Sequence, residues 1–150
     1  MKYSALLFSV LLSFILCNCG GTDKETSSEN SVDAARNFIR AALDGKFREA
    51  RAIMLNDSVN TNYLDLAERA YKRWSQDIRD SYRTSSIVIH QVDNDNDSTT
   101  IVIYSNTYKN DHDTLRVIKQ NDQWLVDLKY LYQHDALAPA ENMIINDSIQ

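Results

Sequence analysis

The side chains with the clearest capacity for chemistry are three carboxylates at alternate positions, Asp93, Asp95 and Asp97. Alternating acidic ligands are typical of EF-hand calcium loops, which also need a glycine at the sixth position and a glutamate at the twelfth. Counted from Asp93, these positions hold Ser98 and Tyr104. Because Asp and Asn side chains bond readily to nearby backbone, the run predicts a hairpin turn and not a calcium site.

Histidine and cysteine are the usual zinc ligands, and the chain has three histidines, His90, His112 and His134. None of them pairs at the spacing of a zinc motif. The two cysteines, Cys17 and Cys19, lie one residue apart, which rarely permits disulfide geometry. The sequence therefore predicts no metal site and no cofactor.

The thiol of Cys19 has the best-defined chemistry in the chain because of what precedes it. A single cation, Lys2, is followed by an apolar run over residues 5–16, interrupted only by two serines. A transmembrane helix needs about 20 apolar residues. A secretory signal needs an apolar region of about 7–15 residues after a positive start. The length of the run favours the signal.

The arrangement resembles the signal of bacterial lipoproteins, in which an aliphatic residue lies three positions before a lipid-modified cysteine. Leu16 takes that position relative to Cys19, whereas bulky residues precede Cys17; Asn18 departs from the usual small residue before the cysteine. The resemblance implies a signal peptide over residues 1–18 and a lipid on Cys19. It also implies a mature chain anchored to a membrane of the bacterial cell envelope, with the outer membrane expected, facing the periplasm or the surface. Ordinary secretion is the alternative.

The charge balance excludes one large class of partners. The formal net charge is -5, and loss of Lys2 with the leader makes it -6. A nucleic-acid-binding protein would show a clustered basic face, so no nucleic-acid partner is expected. Cleavage before Cys19 would also leave the mature chain with no second cysteine and no disulfide.

Composition divides the rest of the chain into three parts. Residues 19–30 contain no large apolar side chain and are expected to form a flexible linker. Residues 31–132 have the length of one domain with a single core. Residues 133–150 are mixed, contain Pro139 as the only proline of the chain, and are expected to form a tail.

The first half of the domain shows helical periodicity. Ser31 suits an N-cap, and Gly45 suits a left-handed helix end. A second, short helix is expected from Phe47, ended by the polar cluster at residues 56–58. The first apolar stripe is formed by Ala35, Phe38, Ile39, Ala42 and Leu43.

A third, longer helix is predicted to start at Thr61 or Asn62 and to extend past Ile78. Its apolar stripe contains Tyr63, Leu66, Ala67, Ala70, Tyr71, Trp74 and Ile78. The aromatic members of the stripe could line a ligand pocket, since such pockets are rich in aromatic side chains. At helical spacing they are more often part of a core.

The second half reads as four strands, at residues 87–92, 101–108, 115–119 and 124–128, rich in β-branched and aromatic residues. Short polar turns between them imply antiparallel hairpins. Helices followed by such a meander predict an α+β fold. Alternation makes one sheet face strongly apolar and the other mixed, so the mixed face is either wet or a partner surface.

Two segments give a family resemblance. Residues 35–50 form an amphipathic helix, a Gly-polar-aromatic turn and a second helix; residues 117–128 combine a polar turn, Trp124 and alternating apolar residues. Together they resemble nuclear transport factor 2-like domains, closest to a small bacterial lipoprotein branch of unknown function. The resemblance implies a cone-shaped domain with three N-terminal helices packed on a curved four-stranded antiparallel sheet. Members include ketosteroid isomerase-like enzymes, ligand binders and dimeric scaffolds.

The resemblance to isomerases makes Asp127 and Tyr104 candidates for proton transfer. Asp127 alternates away from the face of Trp124 and Val126, so a solvated residue or an ion pair with Arg116 across the hairpin is favoured. No catalytic motif of the family maps onto this chain. The expected function is therefore binding without catalysis. A small isomerase- or dehydratase-like enzyme and a structural homodimer are the alternatives.

The expected partner is of unknown identity. A small ligand would occupy the cone, with Tyr63, Tyr71, Trp74 and Tyr104 as candidate pocket residues. A protein partner would instead use the mixed sheet face. The membrane contact would be made by the lipid on Cys19.

Overall fold

A computed structural model describes residues 28–135 of the chain, with side chains through residue 131. The predicted signal peptide, Cys19, most of the linker and residues 136–150 lie outside the described residues. Four helices come first: α1 Ser31–Leu43, α2 Phe47–Ala52, α3 Ser58–Arg73 and α4 Gln76–Thr84. Four strands and a last helix follow: β1 Ile87–Asn96, β2 Thr99–Asn106, β3 Asp113–Gln120, β4 Gln123–Asp127 and α5 Leu128–Asp135.

The strands form one antiparallel sheet in the order β1-β2-β3-β4. This confirms the α+β class and the predicted meander of hairpins. The β3–β4 turn shows why the chain reverses there. Asn121 and Asp122 both have positive φ, 50° and 60°, as a two-residue type I′ hairpin requires, and Asn and Asp tolerate this conformation better than other side chains.

Helix α1 ends as the sequence predicts but begins one residue earlier. Asn30, and not Ser31, is its N-cap, with its side chain accepting from the Asp33 N–H. At the other end Gly45 has φ 74°, and its N–H and that of Lys46 bond back to the last turn in a Schellman arrangement. A Cβ on Gly45 would lie 2.6 Å from a ring carbon of Tyr71, so this turn needs glycine.

Four helices precede the sheet in the described residues, where the periodicity predicts three. Helix α3 begins at Ser58 and not near Thr61, because Asp57 caps it by accepting from two backbone N–H groups. The predicted continuous helix through Ile78 is interrupted at Trp74, whose backbone is extended. Ser75 then caps α4 through its hydroxyl. Local capping overrides the apolar periodicity at both places.

The core lies between the sheet and the helices, and α1 contacts all four strands. Its fully buried side chains include Leu64, Val102, Leu115, Val117 and Val126. The strand residues among them belong to the face that alternation predicts to be apolar.

The strand boundaries differ from prediction by up to four residues, and two of the differences bear on the site. The acidic run, expected to be a turn, is mostly strand, because β1 continues through Asn96 and the turn is confined to residues 97–98. At the other end β4 stops at Asp127, and Leu128 begins α5, which contacts β3 and α3. Residues expected to open a tail at 133 belong to this helix.

Candidate functional site

The sheet face turned away from α1 is the mixed surface that the sequence predicts. We call it the outer face; its apolar side chains are half-buried: Ile101, Ile103, Ile118 and Leu125. On β1, Val88 lies on the same face, because it pairs with Ser105 of β2. Val88 is 39% exposed. Apolar side chains therefore cross the sheet on a surface that the described helices cover only in part.

The first boundary of the outer face is the outer edge of β1, which we call the free edge. Among residues 28–135, the backbone of β1 bonds to β2 alone. Asp93, Asp95 and Asp97 form no ion pair within the described part of the chain. Asp93 accepts from the Gln91 amide at 2.7 Å, and Asp95 accepts from the Asn96 amide at 3.4 Å. The free edge thus carries unneutralised negative charge.

The opposite boundary is the edge of β4, which we call the closed edge. The Leu55 N–H donates to the Val126 carbonyl at 2.9 Å, and the Val126 N–H donates to the Ile53 carbonyl at 2.9 Å. The chain at residues 53–55 thus adds to β4 in parallel, as the bridge between Met54 and Val126 shows. No outward backbone group of Val126 is left for a partner.

Side chains fix the closed edge as well. Asp127 is 3% exposed and pairs with Arg116 Nη2 at 2.5 Å. Its other oxygen accepts from the Lys129 N–H at 3.2 Å. The Arg116 guanidinium also lies over the ring of Tyr130, 5.3 Å from its centroid. The predicted ion pair across the hairpin is confirmed, but the carboxylate is buried and not solvated.

Asn60 links this pair to α3. Its side-chain nitrogen donates to Asp57 at 2.8 Å and to Asp127 at 3.3 Å, and its oxygen accepts from the Leu128 N–H at 2.7 Å. Asn60 is fully buried, so one amide satisfies groups from two helices and a strand. The periodicity of the sequence does not identify this residue. The feature of the sequence that points to Asn60 is its position three residues after the capping residue Asp57.

Asp57 is the most strongly perturbed acid described. The backbone N–H of Asn60, the ammonium of Lys129 at 3.0 Å and the Asn60 amide hold the pKa of its carboxyl well below the usual range. Asp57 therefore stays charged well below neutral pH. This lowering of the pKa is caused by helix capping and by the ion pair with Lys129. It is therefore explained by the structure of the closed edge.

This geometry bears on proton transfer by Asp127. A general base needs its carboxylate within reach of a substrate, whereas both oxygens of Asp127 are bound by groups of the chain itself. Tyr104, the other candidate, lies on the opposite face and packs against the core. The structure does not bring the two together on one surface.

The candidate pocket residues lie on the core side of the sheet. Tyr63, Tyr71 and Tyr104 pack against the core, and Trp74 contacts Tyr71 with ring centroids 5.5 Å apart. Tyr82 stacks on Trp74 at 4.7 Å. That these tyrosines and Trp74 line a ligand pocket remains a prediction.

Two open clefts flank the α1–α2 turn. The larger, about 400 Å³, is lined by charged and polar side chains: Asp44, Lys46, Asp80, Arg83 and Thr84. The other, about 290 Å³, borders Gly45, Phe47 and Glu68. The charges of the larger cleft pair with each other, Lys46 with Asp44 at 3.4 Å and Arg83 with Asp80 at 3.1 Å. The larger cleft therefore presents paired charges to a ligand.

The structure brings together two histidines that the sequence separates. The rings of His90 and His112 stack at 4.0 Å, and His90 Nε2 lies 2.8 Å from the buried Ser105 hydroxyl. Within residues 28–135, no group of three or more His, Cys, Asp or Glu side chains is placed to hold a metal ion.

Comparison with known proteins adds no relative. No protein-family model matches the chain, and no curated protein or solved structure matches it. Over the described residues, none of the helices combines the length and apolarity that crossing a membrane would take.

Proposed function

We propose that the protein is a lipoprotein of the bacterial cell envelope, anchored through a lipid on Cys19, whose folded domain binds a partner protein on the outer face. The observation that carries the proposal is the sequence of the leader, in which Lys2, a short apolar run and Leu16 precede Cys19 at signal spacing. Lipidation supplies about 0.8 kcal/mol per buried CH₂. An acidic domain can therefore be held at a membrane without basic side chains.

The outer face supports the binding part of the proposal. Four half-buried apolar side chains share this face, Ile101, Ile103, Ile118 and Leu125, and exposed apolar surface is a common feature of interaction sites. The surface is a sheet face, and the two clefts at the α1–α2 turn lie away from it. Small ligands are held in concave, mainly apolar pockets, so a sheet face favours a protein partner over a small molecule.

We also propose that the fold belongs to the nuclear transport factor 2-like group, with the sheet curved into its cone. The order of the elements supports this: helices first, then a four-stranded meander. In this proposal α4 is the continuation of the third helix of the group, set off by the break at Trp74. Superposition of an experimental structure on members of the group tests it; a flat sheet would contradict the proposal.

The anchor is tested by metabolic labelling with an alkyne fatty acid, followed by membrane fractionation. Wild-type protein should take the label and sediment with membranes. Cys19→Ala should lose the label and leave the membrane fraction, whereas Cys17→Ala, the matched control two residues away, should keep both. Label retained on Cys19→Ala would refute the anchor.

The binding surface is tested by a photo-crosslinking amino acid placed in living cells. At Ile103, on the outer face, illumination should yield a discrete adduct. At Leu66, an exposed leucine of α3 (46% exposed), it should not. An adduct of twice the monomer mass would identify a second copy and favour the homodimer. Equal adducts at both positions would contradict a specific outer-face site.

A further inference from the structure

We propose that the free edge of β1 binds an extended basic segment of the partner protein, which adds to the sheet as a fifth strand. The inference rests on the proposed function and names the chemistry of its partner. Its first basis is the backbone. Alternate N–H and C=O groups of an edge strand point away from the sheet, and those of β1 have no partner among residues 28–135. Strand addition uses such groups for affinity.

The side chains of β1 define what the added strand must present. Between two irregularities in its pairing with β2, residues 91–94 pair regularly. There Val92 opposes Val102 and Asp93 opposes Ile101. Val92 therefore lies on the core side of the sheet, yet it is 39% exposed. A new strand would cover it with an apolar side chain.

On the other face of the same strand, the charge is of one sign. Asp93 pairs with Ile101 on the outer face, Asp95 lies at the second irregularity of the pairing, and Asp97 lies in the turn that follows β1. No lysine or arginine occurs between Ser85 and Tyr108. Elsewhere carboxylates such as those of Asp57 and Asp127 are paired within the chain. A basic partner strand would place a cation beside Asp93 and further cations near Asp95 and Asp97 at the end of β1.

The same charges disfavour other occupants. Natural proteins place charged side chains on edge strands to prevent edge-to-edge pairing. Two copies of β1 would bring six carboxylates together, and an acidic or nucleic-acid partner would meet the same repulsion. A basic strand alone turns this repulsion into attraction, so the edge discriminates by charge.

The test uses full-length protein in detergent and a fluorescein-labelled octapeptide with Lys at alternate positions, separated by Val and Thr. Fluorescence anisotropy should show binding to wild-type protein. It should show no binding of the same peptide with Glu in place of Lys. N-methylation at every second residue keeps the charge but removes strand hydrogen bonds, and should abolish binding.

Two charge variants of the protein locate the site. Asp93→Asn/Asp95→Asn/Asp97→Asn should weaken binding of the lysine peptide about tenfold, since each opposite-charge pair across strands is individually weak. The control Glu49→Gln/Glu68→Gln/Asp122→Asn removes the same charge from other surfaces and should leave binding unchanged. Equal weakening in both variants, or binding that survives N-methylation, would reduce the effect to general charge attraction and overturn the proposal.

The outcomes separate this inference from the proposed function. If the lysine peptide fails to bind while Cys19 takes lipid and Ile103 crosslinks to a partner, the free-edge proposal falls and the proposed function stands. If Cys19 takes no lipid while the peptide still binds at β1, the anchor falls and the edge inference stands.

Discussion

The two edges of the sheet are built on opposite principles. At the closed edge, residues 53–55 bond to β4, and Asn60, Asp127 and Arg116 join two helices and two strands in one polar network. At the free edge, β1 has only β2 as a neighbour among residues 28–135, and Asp93, Asp95 and the following turn residue Asp97 form no ion pair there. One edge holds the fold together, and the other is left available.

This difference shows how the position of an acid decides its role. Asp127 and Asp93 are both strand aspartates, yet the first is 3% exposed and ion-paired whereas the second faces solvent beside a glutamine amide. A buried carboxylate costs free energy unless it is paired. Carboxylates on an open edge cost little there and prevent unwanted pairing.

Among the substitutions at the closed edge, removal of the Asn60 side-chain amide should cause the largest loss of stability. Asn60→Ala leaves the Leu128 N–H without its acceptor and removes one of the donors to Asp127. We expect a loss of about 2–4 kcal/mol, because each buried unsatisfied polar group costs roughly 1–3 kcal/mol. Urea denaturation followed by circular dichroism measures it. Asn62→Ala, an exposed asparagine of the same helix, should change stability by less than about 0.5 kcal/mol. An equally small loss of stability in both variants would mean that the Asn60 side chain does not stabilise the network.

The ion pair of the closed edge should show measurable coupling. A double-mutant cycle on Arg116 and Asp127 should give a coupling free energy of about 1–3 kcal/mol, as expected for residues that share one network. The matched cycle on Lys119 and Asp122 tests a pair whose acid is 98% exposed. It should give less than about 0.5 kcal/mol, as surface pairs do. Similar coupling free energies in the two cycles would show that the Arg116–Asp127 pair stabilises the fold no more than a surface pair, and would contradict its proposed role at the closed edge.

Asp57 should make the stability of the folded protein decrease as the pH falls. Its pKa is lower in the folded protein than in the unfolded chain, where it is about 3.9. Its stabilising effect is therefore fully present above about pH 5 and is lost as the pH falls through the unfolded value towards the folded one. Asp57→Asn, which keeps a capping side chain, should lower the melting temperature at pH 7, and that difference should shrink steadily as the pH falls below about 4.

The reciprocal variant identifies the source of this effect. In a Lys129→Met background the ammonium partner of Asp57 is gone, so Asp57→Asn should lower the melting temperature at pH 7 by a smaller amount. A difference between wild type and Asp57→Asn that grows as the pH falls would contradict the assignment.

The free edge should tolerate change with little loss of stability. Asp93→Asn/Asp95→Asn/Asp97→Asn should stay within about 0.5 kcal/mol of wild type, as substitutions on open surfaces do. It should also increase self-association in sedimentation velocity, since the repulsion that guards the edge is gone. A loss of stability as large as that of Asn60→Ala would mean that the carboxylates belong to the fold.

The sequence predicts the elements whose causes are local. Gly45 ends α1, and the Asn121–Asp122 turn joins β3 to β4, because single residues determine both. The Arg116–Asp127 pair could also be predicted, since alternation along two strands places the residues opposite each other. Capping by Asp57 and Ser75 could not be predicted from the apolar pattern, because the stripe of the third helix begins only at Tyr63 and continues across Ser75 to Ile78.

What depends on tertiary packing could not be predicted. Nothing local indicates that residues 53–55 add to β4 or that Asn60 is buried between two helices and a strand. The acidic run favours a turn by composition, yet pairing with β2 extends β1 through it to Asn96. The difference between the two edges is therefore a property of the assembled sheet.

Amide hydrogen exchange resolved by NMR tests that difference most directly. The Leu55 and Val126 amides, which bond across the closed edge at 2.9 Å, should exchange only when the domain opens. In residues 91–94 of β1, alternate amides should exchange at least ~100-fold faster, because open backbone groups lack the protection of a cooperative unit. Outward amides of β1 protected as strongly as Leu55 would show that the free edge is already covered, and would contradict the account.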